Sequence, residues 1–452
     1  MKKIILPLLF CLSCYLTQSA VWYINSTSGD DANSGRFLDQ PWKTLTNLSS
    51  KKFSPGDSLL FAAGTAYKGG CVFTSSGTKN HPVYIGVYSA GAQNLLANER
   101  SVLGSIFKKY GAGLAPSFTN PDWDILNGNV FQIHGGHIII EGLYFHDNAK
   151  PPGSNKKNQN VQKMGAIYLA EEANYSIIKN CEFYRTPVGI KIKSSHNLIS
   201  HNYLHDADEM MAQSWGPIAI MIVAPYNEIS HNRITGYGAY GGPYGSDGGV
   251  IELDGVDTGF HASSINIHHN VSINNHGFLE IAARNVDSIM VAFNLSDDKN
   301  QFIGGGSMKA IQVLNNTVIR IREPNVDRFV FWTFYPEGCG FTIWNNIFVV
   351  AKDIQVFGPV RSVVGHKRTG IGNHPHNNNL YYSPGNPDVM GIPKDKTEII
   401  GDPGFVDFVN GNYRLTKSSA AIGKAIQTLF TFDLDGYSTG RNQGLDIGAY
   451  DF

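Results

Sequence analysis

NLISHN (residues 197–202) and NEISHN (residues 227–232) decide the fold, because the same unit returns along the chain. Five further segments follow it: SIIKN (176–180), INIHHN (265–270), IMVAFN (289–294), IQVLNN (311–316) and FTIWNN (341–346). In each, an aliphatic residue stands three positions before an asparagine. The pairs are Ile177/Asn180, Ile199/Asn202, Ile229/Asn232, Ile267/Asn270, Val291/Asn294, Val313/Asn316 and Ile343/Asn346. Successive asparagines lie 22, 30, 38, 24, 22 and 30 residues apart. A base period near 22 with insertions is what a coiled β-solenoid gives. Its short strands bury their apolar side only by stacking on the next coil. An antiparallel meander would need hairpin turns between units, and none recurs.

The asparagine has two expected jobs. At a corner between strands it tolerates a left-handed backbone that most residues resist. Its amide can also bond to its counterparts one coil above and below, forming a ladder. His201, His231 and His269 each precede such an asparagine and are assigned to turns rather than to chemistry.

Composition narrows the function. The 452-residue chain has a formal net charge of −1 and 16% charged residues, so no strong field favours nucleic acid or an anionic membrane. Forty-nine glycines and 12% aromatics fit a turn-rich β protein. Lys2 and Lys3 precede an apolar run over residues 4–16, long enough for an export signal and too short to span a bilayer. Thr17 and Ser19 offer small residues for cleavage before Val21. Cys11 and Cys14 faintly suggest lipoprotein acylation as the minor alternative. No later segment is a membrane anchor, and a secreted or periplasmic location is expected. Cys71, Cys181 and Cys339 are widely spaced and odd in number, so they read as buried thiols rather than a disulfide framework.

The tandem units resemble the repeats of right-handed parallel β-helix proteins of the pectate-lyase-like class, secreted and carbohydrate-active. WYINSTSGDDANSGRFLDQPWKTLTNL (22–48) and SPGDSLLFAAGTAYKG (54–69) are similar to the opening of such proteins. There a strand, a Gly/Asp loop and a short helix plug the end of the solenoid, and Pro41 sits where that helix would begin. DPGFVDFVNGNYRLTKSSAAIGKA (402–425) resembles the closing segment. The resemblance implies an all-β, single-stranded right-handed parallel β-helix with N-terminal and C-terminal capping segments. Its expected layout is a signal peptide over 1–20, a cap and first coils over 21–130, a helix core over 131–400 and a capping segment over 401–452. It does not imply one reaction, because the fold hosts lyases, hydrolases, esterases and non-enzymes.

The longest spacing directs attention to one region. Between Asn232 and Asn270 lie GYGAYGGPYGSD (236–247) and GVDTGFHASS (255–264), and insertions on a solenoid gather on its binding face. Between them the strand Gly249-Val250-Ile251-Glu252-Leu253-Asp254 alternates, with Ile251 and Leu253 inward and Glu252 and Asp254 outward. The next coil reads Gly277-Phe278-Leu279-Glu280-Ile281. Alignment on Gly249 and Gly277 makes Glu252 and Glu280 neighbours at roughly 4.8 Å, with Asp254 roughly 6.6 Å along the strand.

Three clustered acids favour a raised pKa or a bound cation. A protonated acid beside an ionised partner suits glycoside hydrolysis, so Glu252, Asp254 and Glu280 are the candidate catalytic groups. The adjacent-coil pair suits a retaining enzyme and the same-strand pair an inverting one. Candidate substrate-binding residues are Lys191, Lys193, Trp215, Tyr240, Tyr244, Asp247, His276, Arg284 and Trp332, with Tyr237 beside them. The lysines can meet an acidic sugar or act as base, the rings can stack on sugars, and His276 can orient a carboxylate.

The leading reading is a hydrolase of a polysaccharide or oligosaccharide that needs no cofactor. The second is a lyase of a uronic-acid polymer assisted by Ca²⁺ on Glu252, Asp254 and Glu280 with Arg284 nearby, as in lyases of this fold. The lysine those lyases carry just after this strand is missing. The third is a non-catalytic carbohydrate-binding module or adhesin. A carbohydrate partner is common to all three.

Overall fold

The structure, a computed structural model, describes residues 19–88, 115–151, 163–211, 215–241, 245–254, 261–282, 286–323, 328–361, 368–426, 430–441 and 444–452. The proposed export signal and acylation site lie outside these residues, apart from the last two positions. No helix among the described residues is long and apolar enough to cross a membrane.

Three parallel sheets run the length of the molecule, and the chain visits them in fixed order. Sheet A holds twelve strands among the described residues, from Val21–Ile24 to His376–Asn377; sheet B holds twelve, from Ala66–Lys68 to Ile399–Ile400. Sheet C holds ten, from Cys71–Phe73 to Thr369–Gly370, the last of them antiparallel. Each passage through A, B and C is one coil of a right-handed parallel β-helix, the expected fold. At the start, a five-residue helix, Thr46–Ser50, buries Leu48. It begins five residues after Pro41, so that proline does not open it. At the far end an antiparallel hairpin, Phe405–Asp407 with Asn412–Leu415, packs against the outside of sheet B through Tyr413 and Leu415.

The aliphatic member of each repeat faces inward. Ile178, Ile199, Ile229, Ile267, Val291, Val313 and Ile343 are in register on successive strands of sheet A and fully buried. Burial of such side chains stabilises by about 1.5–3 kcal/mol each, which explains why the repeat keeps them.

The asparagines sit at the sharp corner from sheet A to sheet B. Asn202, Asn232, Asn270, Asn294, Asn316, Asn346 and Asn379 form a ladder. Each donates its backbone N–H and its side-chain amide to Oδ1 of the next, at 2.9–3.0 Å. Two expectations are corrected here. Asn180 is not a rung: Ile178, not Ile177, aligns with Ile199, and Cys181 takes the ladder position, donating its N–H to Asn202. Nor do the ladder asparagines carry the left-handed backbone. The residue before each does, with φ from 50° to 62° at His201, His231, His269, Phe293, Asn315, Asn345 and Asn378, and 54° at Asn180. Freed from that strain, the ladder asparagines turn inward and are buried. The preceding side chains stack outside, ring on ring, through His201, His231, His269 and Phe293 at 4.8–5.2 Å.

The connections into and out of sheet C are the long ones. In sequence, 236–248 precede the strand Gly249–Leu253 and 255–264 follow it, so both insertions adjoin one strand of sheet C. The outer face of sheet C is the floor of the candidate site.

Candidate active site on sheet C

Six strands build the floor: Val188–Ile192, Ile218–Ile222, Gly249–Leu253, Leu279–Ile281, Ile303–Gly305 and Phe331–Thr333. Their inward residues, Ile190, Ile220, Ile251, Leu279, Ile303 and Phe331, are core. Because side chains alternate, the next position of every strand points out. In register these are Lys191, Met221, Glu252, Glu280, Gly304 and Trp332, one column spaced at about 4.8 Å per coil.

Glu252 and Glu280 are direct register partners at the middle of this column. Glu252 is buried and Glu280 half-buried. Next to Glu280, the missing side chain of Gly304 leaves room that the Trp332 indole fills. A methyl group there would lie 2.3 Å from Cε2 of Trp332, so the indole lies across Gly304. Asp254 stands beyond the end of its strand, its N–H bonded to Ile222 O at 2.9 Å. The corresponding residue on the next coil is Ala282, bonded to Leu253 O in the same way. The acids therefore form a pair in one column and a single carboxylate in the next.

Several expected substrate-binding side chains are packed instead. Lys191 is 1% exposed, with Nζ 2.9 Å from Met221 Sδ. Trp215 is 3% exposed inside an outer apolar cluster with Met164, Val188, Met211, Ile218 and Met221. Trp332 is 1% exposed, covered by Arg368, whose guanidinium carbon lies 4.4 Å from the ring centroid, and by Phe334. Tyr237 is buried, its hydroxyl 2.8 Å from Thr186 Oγ1. These rings and this lysine are walls, not stacking platforms, because residues from neighbouring coils cover them.

Lys193 lies 3.4 Å from Glu171, on the side away from the acid pair. Asp247 fixes a turn: its carboxylate accepts from the N–H groups of Gly216 and Gly248 at 3.2 and 2.9 Å. Tyr240 is exposed, with Lys299 5.1 Å above its ring. Arg284 and Tyr244 lie outside the described residues.

His276 is buried and meets an amide rather than an acid, with Nδ1 2.9 Å from Asn300 Nδ2. Burial, then the charges of Arg368 and Lys299, push its pKa down to about 3. It is therefore neutral at pH 7, accepting at Nδ1 from the Asn300 amide and carrying its proton on Nε2.

Met221 and Gly304 adjoin the acid pair in register and Arg368 lies on Trp332, and sequence reasoning alone misses all three. Alignment of GPIAIMI (216–222) on the Glu252 strand would have found Met221. Nothing local marks Gly304 or Arg368. Among the described residues no three carboxylate, imidazole or thiol groups converge to hold a metal.

No protein-family model matches the chain. Over 76 residues it is 30% identical to the lacto-N-biosidase of Bifidobacterium longum subsp. longum, a stretch covering 16% of this chain and 5% of that protein. The chain thus spans a small fraction of the curated relative it matches. Among solved structures, pectate lyase Pel9A matches with a TM-score of 0.50 at 12% identity, over 96% of this chain and 97% of that one. The GH136 lacto-N-biosidase of Eubacterium ramulus matches with a TM-score of 0.41 at 14% identity, over 84% of this chain and 68% of that one. The likeness to Pel9A is one of fold: this chain is a pectate-lyase-like parallel β-helix.

Proposed function

We propose that the chain is an exported carbohydrate-active enzyme, a glycoside hydrolase that cleaves a polysaccharide or oligosaccharide lying across the outer face of sheet C. The observation that carries this reading is the register pairing of Glu252 with Glu280 on the outer face of sheet C. Strands about 4.8 Å apart bring two carboxyl groups near the roughly 5–5.5 Å separation of a retaining pair. The short stretch of identity with a lacto-N-biosidase favours hydrolysis over elimination.

In this mechanism Glu280, the more open of the two and bordered by Gly304, attacks the anomeric carbon. Glu252, held in a drier setting beside Met221, protonates the departing glycosidic oxygen. Glu252 then takes a proton from water, whose oxygen displaces Glu280 from the sugar. Asp254 lies one column away and positions the sugar or the water.

A lyase reading has one observation in its favour, a buried lysine, Lys191, in the same column two coils from Glu252. Buried lysines serve as bases in other enzymes. In that reading Ca²⁺ would neutralise the substrate's acid group and would be held by Glu252, Asp254 and Glu280.

The test is a panel of polysaccharides and oligosaccharides assayed for new reducing ends and for the ultraviolet absorbance of an unsaturated product. Reducing ends without absorbance are expected. Absorbance that disappears in chelator would replace the hydrolase by the lyase, and binding without any product would leave a carbohydrate-binding module.

A further inference from the structure

At the corner from sheet B to sheet C, a cavity of about 350 Å³ lies apart from the acid pair. Asp147, Arg185 and Asp206 reach it from three successive turns of sheet B, and Pro187 and Pro217 from the starts of two sheet C strands. An outer apolar cluster divides the two places. Trp123 packs against it on the cavity side, and its member Met221 is the register partner of Glu252.

The wall carries charges of both signs, largely matched to one another. Arg185 lies 3.3 Å from Asp147 and 3.9 Å from Glu209, Lys150 2.7 Å from Glu209, and Asp206 2.8 Å from His205 Nδ1. Asp208 is exposed in the same wall and has no ion pair among the described residues. One buried group there is incomplete. Asn148 is 8% exposed and donates its amide to Gly128 O at 2.7 Å, but its Oδ1 has no hydrogen-bond partner among the described residues. A buried acceptor without a donor is costly, and native folds keep few of them. Standing in a cavity wall, Asn148 can take that donor from a bound molecule.

These features select a class of ligand. A carboxylate or sulfate only accepts, and would meet four acidic side chains. An ammonium only donates, and would meet Lys150 and Arg185. A sugar hydroxyl does both, so it fits a wall where carboxylates and cations alternate. Arg185 has five N–H donors, more than its ion pairs use. The apolar face of a sugar ring fits the half-buried indole of Trp123. The volume is that of a small-molecule site, for which roughly 300–1,000 Å³ is usual.

We infer that this cavity is a non-catalytic binding site for a neutral saccharide unit, stacked on Trp123 and hydrogen-bonded to Asp208, Arg185 and Asn148. The site anchors a glycan without taking part in its cleavage. It does not depend on what the Glu252–Glu280 face does.

The experiment measures binding alone. Full-length Glu252→Gln/Glu280→Gln protein is run in native affinity gels containing dextran, galactan, laminarin, galactomannan or the polyanion polygalacturonate. At least one neutral polymer is expected to retard it, with little change between low and high salt because the ligand is uncharged. Adding Trp123→Ala should weaken that retardation at least about tenfold, as removal of an aromatic anchor does. Asp208→Ala should weaken it as well, Trp123→Phe should keep part of it, and Lys309→Gln, on sheet A, all of it. Any retardation by polygalacturonate should survive Trp123→Ala. Far-ultraviolet circular dichroism verifies folding of each variant. The site is overturned if no neutral polymer retards the protein, if high salt abolishes the retardation, or if the folded Trp123→Ala protein is retarded as before. A polygalacturonate interaction that Trp123→Ala abolishes would overturn the neutral class. Loss of hydrolysis as a function would not touch the site, because no product is measured.

Discussion

Asn270 donates twice to the same atom: its backbone N–H and its side-chain amide both reach Oδ1 of Asn294 at 3.0 Å. The amide also bonds to Ile229 O and His268 O, while Oδ1 accepts from both donors of Asn232. Truncation of one such side chain strands buried groups on three coils. Asn270→Ala should destabilise the fold by at least about 3 kcal/mol, read by urea denaturation. A loss near zero would mean that water replaces the ladder.

The ladder's missing rung yields the opposite prediction. Cys181 Sγ lies 3.9 Å from Ile140 O, the place where an asparagine amide would bond, as Asn202 does to Ile178 O at 2.9 Å. Cys181→Asn should add a rung and raise stability by about 1 kcal/mol. A lower melting temperature would show that this coil cannot accept the amide.

Glu252→Gln and Glu280→Gln should each lower turnover on a competent glycan at least about 100-fold, with melting temperature unchanged. The first product released by the wild type should keep its anomeric configuration, as followed by proton magnetic resonance. Inverted product would move the second carboxylate from Glu280 to Asp254.

Gly304→Ala tests how the floor is shaped. Its methyl group would enter the Trp332 indole, so the ring and the Arg368 stacked on it must shift. A stability loss of about 1–3 kcal/mol is expected, with changed Trp fluorescence. An unchanged spectrum would place the ring elsewhere.

Acid should weaken the fold in two stages. Burial and then neighbouring histidines push His231 down to about 3; burial first, then the charge of His268, holds His269 down at about 4. Unfolded histidines titrate near 6.5, so the unfolded chain takes up protons first and stability falls as pH drops below about 6.5. Glu398 follows. Burial would raise its pKa, but hydrogen bonds from His376, Tyr381 and Asn379 outweigh this and hold it below the usual range. Its contribution is present above about pH 4.3 and lost below. His231→Phe, a ring that already serves at Phe293, should flatten the first stage in denaturation curves between pH 7 and 4.5. An unaltered slope would remove the stack from the account.

The repeat was legible because an inward aliphatic and a ladder amide are both needed in every coil. SIIKN misled by one residue because two isoleucines adjoin, and Asn180 happens to fill the left-handed corner. Asn379 escaped notice inside the run of asparagines at 377–379, and the second ladder through Asn197 and Asn227 lies within the very segments first quoted. At the site, the Glu252–Glu280 register followed from glycine alignment. The burial of Lys191, Trp215 and Trp332 did not, because their covers come from other coils and from Arg368, at distances along the chain that no strand pattern records.

The ladder has a direction. Each asparagine hands its donors to the coil that follows it, and Asn379, the last, hands its amide to the buried carboxylate of Glu398. A coil made before its successor is thus left with open donors, so a chain emerging from its N-terminus has each turn completed only by the next. Glu398 acts as a full stop: shortening the molecule from its C-terminus reopens the last turn, however many turns precede it.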